Sequence, residues 1–267
     1  MTPMWALRYP AAMAVVPFSR GWVEARVLAA GCALAGAVAA TGVLPPDASA
    51  VVAVAALHGG LVALALVWAG MRVDEAAFAV VLLALARELV VLHPFGALAY
   101  LALPAWLVWL ARRGRLGRLG LAGPWPWGPT AVAALAGATL ALHLVTCASR
   151  TLGYVIRLDA AAVLSAVAYD VGANVVSAEL FFRGALLHHL WRRWSFPVAL
   201  AAASAAAALR YCLDPFVAST ELRVGAAVYM TLLAVLNGML CRWSGSLLPG
   251  LVAATIFFTC YRLLASA

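Results

Sequence analysis

The sequence predicts an all-α fold, a polytopic transmembrane helical bundle of about 8–9 helices, from its composition and its long apolar runs. Of its 267 residues, 66% are hydrophobic and only 10% are charged, and the mean hydropathy is +1.01. Ordinary soluble domains are about 45–50% apolar and about 25% charged. A soluble domain of this size could not bury so much apolar surface in one core. We therefore expect lipid to be the solvent of this chain.

Each long apolar run is predicted to be a helix, because a chain in hydrocarbon must satisfy its own backbone hydrogen bonds. The third run contains Arg87 and Glu88, which leaves the number of helices at eight or nine. Proline pairs and X-Pro steps separate the runs, among them Pro45-Pro46 and Phe196-Pro197. The predicted helices cover roughly residues 27–44, 50–71, 76–92, 95–111, 130–148, 159–187, 196–213, 224–241 and 245–264.

The formal net charge of +8 arises because all the basic residues are arginine and outnumber the acidic ones. We interpret these arginines as signals of membrane orientation. The arginines lie at the ends of apolar runs, where orientation signals belong, so nucleic-acid binding is not predicted. A cytoplasmic N-terminus, as in a multi-pass protein of a bacterial inner membrane, leaves mainly Arg150 and Arg223 outside. It places inside the residues Arg8, Arg20, Arg26, Arg72, Arg112, Arg113, Arg115, Arg118, Arg192, Arg193 and Arg242.

The stretch 112–129 is the longest connection that is not apolar, and it predicts a division of the chain. Residues 1–129 would hold the N-terminal transmembrane helices and a basic cytoplasmic loop, and residues 130–267 the remaining helices. The N-terminus lacks the features of a secretory signal. The five cysteines form neither a CxxC pair nor a ligand-like spacing with histidine, so we expect no metal and no cofactor.

Ionisable side chains inside apolar runs are expensive, so they are the first candidates for a functional site. Glu179 and Arg183 are four residues apart on a predicted helix, which favours an ion pair. Such a pair could equally hold helices in register. Asp170 lies nine residues before Glu179 and should face nearly the opposite side of the helix, together with Asn174.

The histidines and the other polar residues of the apolar runs carry weaker signals. Arg210 and Asp214 are four residues apart and predict a structural pair. His58, His93 and His143 are isolated, and hydrogen-bonded histidines are commoner than ligands at such places. Further polar positions are Asn237, and the basic helix end formed by His188, His189, Arg192 and Arg193. Motifs of serine hydrolases, nucleotide-binding proteins and zinc proteases do not occur.

Two segments resemble motifs of the CPBP family, the CAAX proteases and bacteriocin-processing (Abi-type) intramembrane proteases. The segment 178–187, Ala-Glu-Leu-Phe-Phe-Arg-Gly-Ala-Leu-Leu, is similar to the first motif, Glu-Glu-x-x-x-Arg followed by Gly. The segment 241–250, Cys-Arg-Trp-Ser-Gly-Ser-Leu-Leu-Pro-Gly, resembles the turn before the last core helix of the family. The resemblance covers about residues 160–264, so residues 130–267 are interpreted as a CPBP-like core. The front half adds only membrane-spanning helices to this interpretation.

The resemblance implies a water-activating glutamate, two histidines and an asparagine facing a cavity in the bilayer. The first glutamate of the motif falls on Ala178, and only the second remains, as Glu179. The histidine of the second motif falls on Tyr211 or Cys212, after Ala207 or Ala208 in the place of phenylalanine. The last histidine and asparagine fall on Ala254 and Phe258, or on Thr255 and Thr259. The candidate catalytic residues are therefore Glu179, Arg183, Tyr211 and Cys212, in a divergent member that lacks most of the motif residues.

Three classes of function remain open at this point. The first is a divergent glutamic-type intramembrane endopeptidase or a pseudoprotease that binds membrane-anchored peptide segments. The second is a transporter or channel component with a polar pathway built from Arg87, Glu88, Arg157, Asp159 and Asp170. The third is a structural membrane subunit. Expected partners are membrane lipids and a membrane-anchored protein or peptide.

Overall fold

The computed structural model describes residues 21–93, 95–121, 123–156, 159–212 and 220–265, and these residues form an α-helical bundle. The helices are α1 (Gly21–Ala40), α2 (Pro46–Trp68), α3 (Val73–Leu92), α4 (Gly96–Arg112), α5 (Trp127–Thr151), α6 (Ala160–Trp191), α7 (Phe196–Cys212), α8 (Thr220–Ser244) and α9 (Leu248–Tyr261). Each of the nine predicted helices overlaps one of these helices. The predicted fold class is confirmed.

Local signals explain several of the helix ends. Pro46 opens α2 at a position where a backbone N–H would find no partner inside the helix, so proline loses no hydrogen bond there. Asp159 caps α6, because its carboxylate accepts hydrogen bonds from the backbone N–H groups of Ala161 and Ala162. Gly70 follows α2 with φ of +96°, a conformation that favours glycine. A short antiparallel ribbon, β1 (Val155–Ile156) and β2 (Leu264–Ala265), adds a small element to the predicted all-α fold.

The outer surface of the bundle is apolar, as lipid contact requires. Leu34, Leu135 and Leu142 are 68%, 71% and 69% exposed. Within the described residues, four helices are long and apolar enough to cross a membrane, namely α1, α2, α5 and α6. Shorter apolar helices are α4, α7 and α9. Together with the apolar surface, these helices identify an integral membrane protein.

Small residues bring the helices close together. A Cβ atom added to Gly137 of α5 would lie 2.7 Å from the carbonyl oxygen of Ala253 in α9. A Cβ atom on Gly59 of α2 would lie 2.7 Å from Cα of Val80 in α3. Such contacts gain dispersion energy, which drives helix association where lipid removes the hydrophobic driving force.

Widened turns interrupt α2 and α6 at the polar residues of the interior. Residues Ala55–Gly59 in α2 form π-helical turns around His58. Residues Asp170–Val175 and Glu179–Leu187 in α6 do the same. Such turns change which backbone groups are paired with each other. The carbonyl oxygen of Arg183, in one of these turns, accepts a hydrogen bond of 2.8 Å from Nδ1 of His188. π-helical turns occur frequently at functional sites.

Candidate functional site

Glu179 lies in the interior of the bundle and is only 2% exposed. Its Oε1 atom accepts a hydrogen bond of 2.9 Å from Nδ2 of Asn237 on α8. Nη1 of Arg183 lies 3.5 Å from the same oxygen, so the predicted ion pair is confirmed. Arg183 is 5% exposed and Asn237 1%. Two charges can remain in such a place because each lies beside the other.

Unpaired polar atoms surround this ion pair. Oε2 of Glu179, Oδ1 of Asn237 and Nη1 of Arg183 are buried and make no hydrogen bond. Gly250 at the start of α9 packs closely against them, since a Cβ atom there would lie only 2.9 Å from Oε2 of Glu179. Buried polar groups are rarely left unpaired. The cluster therefore offers two acceptors and one donor to a bound polar group.

Asp170 belongs to a second cluster. It is 1% exposed, and its carboxylate accepts hydrogen bonds of 2.7 Å and 3.0 Å from Nε and Nη2 of Arg262. Nδ2 of Asn174 donates a further bond of 3.0 Å, so the predicted shared face of Asp170 and Asn174 is confirmed. This bidentate arrangement holds the chain after α9 against α6. The two carboxylates of Asp170 and Glu179 have no partner in common.

His58 forms the centre of a third cluster. It is hydrogen-bonded, as predicted, but its partners are not local in the sequence. It is 3% exposed, and its Nδ1 atom lies 3.0 Å from Oγ of Ser177 and 2.9 Å from Nη2 of Arg210. Its Nε2 atom lies 2.7 Å from the hydroxyl of Tyr169. All three partners lie in the back half of the chain, so the front half contributes more than membrane-spanning helices. The sequence did not indicate these partners, because residues more than 100 positions apart meet only through the packing of α2 on α6 and α7.

Tyr211 does not join the Glu179 cluster. Its ring packs against Phe258 with 5.6 Å between ring centroids, and the guanidinium of Arg210 lies 4.4 Å from its own ring centroid. Within the described residues it makes no hydrogen bond with Glu179. Cys212 is half-buried at the end of α7. The structure thus brings Glu179 and Arg183 together but connects neither with Tyr211.

The positions that correspond to the other motif residues are packed with apolar side chains. Ala178 and Ala207 lie in one small core with Phe182. Ala254 and Phe258 lie in another core, 2% and 6% exposed. Thr255 is only half-buried. At these positions the described residues offer no acid, histidine or amide beside Glu179.

The residues predicted for a polar transport pathway do not gather. Asp159 caps the start of α6, Asp170 is bound to Arg262, and Glu88 is exposed on α3. Arg157 lies outside the described residues, as does Asp214, the predicted partner of Arg210. Within the described part of the chain, no three His, Cys, Asp or Glu residues form a group that could hold a metal ion.

The sequence indicated the candidate residues themselves, but it did not indicate which residues they contact. Asn237 stood out as a polar residue in an apolar run, but nothing in the sequence linked it to Glu179. Arg262, near the end of the chain, gave no sign of its pairing with Asp170. The residues that share one face of a single helix can be identified from their spacing, whereas contacts between helices cannot.

The comparison with protein families agrees with this geometry. Residues 159–257 match the family model described as type II CAAX prenyl endopeptidase Rce1-like. This match supports the predicted resemblance of this part of the chain to the CPBP family. The matched segment includes α6 with Glu179 and Arg183, and it extends through α8 with Asn237 into α9. No curated protein and no solved structure matches the chain.

Proposed function

We propose that this CPBP-like protein is a pseudoprotease that binds membrane-anchored peptide segments at the Glu179 cluster without cutting them. The observation that carries the proposal is the combination of an unpaired buried carboxylate oxygen with apolar side chains at the other motif positions. A peptide backbone presents both N–H donors and C=O acceptors. Oε2 of Glu179 can accept from an N–H group, and Nη1 of Arg183 can donate to a carbonyl oxygen.

The chemistry of the cluster favours binding over cleavage. Hydrolysis of a peptide needs a base for the attacking water and donors placed for the developing oxyanion. Arg183 already lies beside the Glu179 carboxylate. The positions of the two family histidines hold tyrosine or cysteine in one case and alanine or threonine in the other. The general acid or base that would complete the reaction is therefore not supplied by the described residues of these motifs.

The experiment measures binding and cleavage together. Purified protein in liposomes is mixed with fluorescent membrane-anchored and prenylated peptides, and both the dissociation constant and the cleavage products are recorded. We expect binding without cleavage, and a weaker complex for Glu179→Gln, because the amide replaces an acceptor by a donor and removes a charge. Glu88→Gln, which alters an exposed carboxylate on α3, serves as the matched control and should bind normally.

A divergent endopeptidase is the second candidate, and the unpaired Oε2 of Glu179 is the observation that favours it. A carboxylate oxygen without a hydrogen-bond partner could accept a proton from an attacking water. Cleavage by the unmodified protein that disappears in Glu179→Gln would establish this candidate and contradict the pseudoprotease. Failure of every peptide to bind to the folded protein would contradict both.

We also propose a multi-pass position in a bacterial inner membrane with the N-terminus in the cytoplasm. The arginine-rich connection between α4 and α5 would then face the cytoplasm, where positive residues accumulate. A reporter that is active only in the periplasm, fused after Arg118, should remain inactive. The same reporter fused after Arg150 should be active.

A further inference from the structure

Four connections between helices meet at one end of the bundle. They join α2 to α3, α4 to α5, α6 to α7 and α8 to α9. The backbone N–H of Leu247, between α8 and α9, donates a hydrogen bond of 3.1 Å to the carbonyl oxygen of Gly120, between α4 and α5. Nη1 of Arg118 donates another of 3.1 Å to the carbonyl oxygen of Ala69, at the end of α2. Hydrogen bonds thus hold three of the connections together.

Arg242, at the end of α8, joins the connection between α6 and α7 to the same end. Its guanidinium lies 4.3 Å from the ring centroid of Phe196 and 5.5 Å from that of Trp191. Arg113, between α4 and α5, has a similar support, because its guanidinium lies 4.1 Å from the ring centroid of Trp109. Both arginines are exposed. Attraction between cation and ring therefore holds two guanidinium groups in place at the surface.

The charge of this end is strongly positive. Its acids Asp74 and Glu75 are paired with Arg72 and Arg115, and Glu24 at the start of α1 is the remaining acid in the described part of this end. The arginines that form no ion pair with any residue that the structure describes include Arg112, Arg113, Arg193 and Arg242. We call the region formed by residues 69–75, 109–121, 191–196 and 242–247 the basic end.

Tryptophan side chains collect at the basic end as well. Trp109, Trp194 and Trp243 are 45%, 50% and 59% exposed. Every tryptophan with a described side chain lies within about two helical turns of one of the four connections. These residues are Trp68, Trp106, Trp109, Trp125, Trp127, Trp191, Trp194 and Trp243. Tryptophan prefers the level of the lipid head groups, so the basic end lies where head groups meet acyl chains.

We propose that the basic end binds the head groups of anionic phospholipids, with Arg113 and Arg242 as the principal contacts. A guanidinium stacked on a ring keeps its N–H groups in its own plane, where they can donate to phosphate oxygens. Exposed apolar side chains lie close by on the same helices, namely Val108 (52% exposed) and Met239 (56%), and acyl chains can cover them. A soluble polyanion would match the charge alone, whereas a lipid matches both features. The lipid contacts do not involve the Glu179 cluster.

The experiment uses the tryptophans of the basic end as reporters of the neighbouring lipids. Bromine atoms on acyl chains quench tryptophan fluorescence on contact. The purified full chain is placed in liposomes of phosphatidylglycerol and phosphatidylcholine, with either one or the other lipid brominated, and the two degrees of quenching give the relative affinity. We expect phosphatidylglycerol to be preferred by about fivefold for each arginine that contacts it, since one basic residue at an anionic surface contributes about 1 kcal/mol.

Matched variants test the assignment to the two arginines. Arg113→Gln/Arg242→Gln should remove most of the preference, whereas Arg113→Lys/Arg242→Lys keeps both charges and should retain most of it. Arg150→Gln alters an exposed arginine at the opposite end of the bundle and should leave the preference unchanged. High salt should weaken the preference of the unmodified protein, because exposed charges are screened.

The preference is a ratio measured within each variant, so a change in fluorescence yield does not alter it. Equal quenching by the two lipids in the unmodified protein would overturn the lipid site. A full preference in Arg113→Gln/Arg242→Gln would overturn the assignment to these arginines. Loss of the preference on addition of inorganic phosphate, at constant ionic strength, would show that the basic end takes free anions and would overturn its assignment to lipid.

Discussion

At the scale of single residues, the interior of this protein holds charges that depend on one another. Glu179 and Arg183 are both almost completely buried, and each would be an uncompensated charge if the other were removed. Removing one partner of a buried ion pair usually lowers the stability of the fold more than replacing both partners by uncharged residues does. This dependence gives a way to separate the structural contribution of the pair from its role in binding.

The first prediction concerns the coupling of this pair. Arg183→Gln should lower the free energy of unfolding by about 3 kcal/mol, because it leaves the Glu179 carboxylate without its cation. The double variant Glu179→Gln/Arg183→Gln should lose much less than the sum of the two single variants. Thermal unfolding of the purified proteins in detergent measures all three.

The exposed pair of Arg72 and Asp74 provides the control for this cycle. Its side chains are 78% and 64% exposed, and Arg72→Gln should leave the unfolding temperature unchanged. If the losses of Glu179→Gln and Arg183→Gln were additive, the two side chains would not be energetically coupled, and the account of the pair given above would be wrong.

The second prediction concerns the space beside Glu179. Gly250→Ala places a methyl group 2.9 Å from Oε2 of Glu179 and 3.2 Å from Cβ of Asn237, closer than van der Waals contact, so the carboxylate must shift. The methyl group covers the unpaired oxygen, so we expect peptide affinity to fall at least about tenfold, the effect of losing a hydrogen bond to a charged group. Titration of labelled peptide into liposomes measures this loss.

A change of stability alone would also lower the affinity, so a second glycine variant is needed. Gly245→Ala alters the turn before the same helix, where an added Cβ atom meets open space but the backbone φ is +66°. This variant should destabilise the turn while leaving peptide affinity unchanged. Unaltered peptide binding in Gly250→Ala would show that the ligand does not reach Oε2.

At the scale of elements, close helix approach positions the site. α9 carries Gly250 to Glu179, and it is held there by its contact with α5, where Gly137 lies against the backbone of Ala253. The widened turns of α6 place Asp170 and Glu179 in separate polar clusters. Small residues at the helix interfaces are therefore as important for the site as the polar side chains.

The third prediction tests this helix interface. Gly137→Ala should lower the free energy of unfolding by about 1–3 kcal/mol, because the added Cβ atom would overlap the backbone of α9. Gly128→Ala, in the same helix but with nothing within 4 Å of the added atom, should be neutral or slightly stabilising. Equal unfolding temperatures for the two variants would mean that α5 and α9 do not approach as closely as described.

At the scale of the whole molecule, the front and back halves share one core. Leu66 of α2, Leu103 of α4 and Leu180 of α6 lie in the same cluster of buried side chains. His58 adds a polar connection from α2 to α6 and α7. The division of the chain at residues 112–129 therefore marks a connection between helices, while the buried core continues across it.

The fourth prediction follows from this shared core. Residues 130–267 produced alone should aggregate or unfold, because α6 would expose the side chains that it buries against α2 and α4. Co-production with residues 1–129 as a separate chain should restore a complex that co-purifies through a tag on either half. Gel filtration in detergent distinguishes the two cases.

A His58→Phe substitution in the front fragment gives the matched control. It removes the polar contacts to Ser177, Tyr169 and Arg210 while keeping an aromatic ring, so the complex should form with lower stability. A back half that is monodisperse and stably folded by itself would contradict the importance of the shared core.

Much of the helical fold could be predicted because its signals are local. Apolar runs such as 196–213 and 50–71, bounded by prolines, correspond to α7 and α2. The spacing of Glu179 and Arg183 predicted their pairing, since residues four apart share one helix face. The partners of His58 could not be predicted, because they come from two other helices. Asn237 and Gly250 likewise meet Glu179 only through packing between helices.

The sequence by itself determined that this chain is an α-helical membrane protein, and that its back half resembles the CPBP family with one remaining motif glutamate. Composition, hydrophobic length and residue spacing depend only on the order of residues along the chain. The tertiary structure alone decided which polar groups share the interior: Asn237 and Gly250 with Glu179, Arg262 with Asp170, and His58 with Arg210. These groups are joined by the close approach of separate helices, which depends on how side chains fit together in three dimensions.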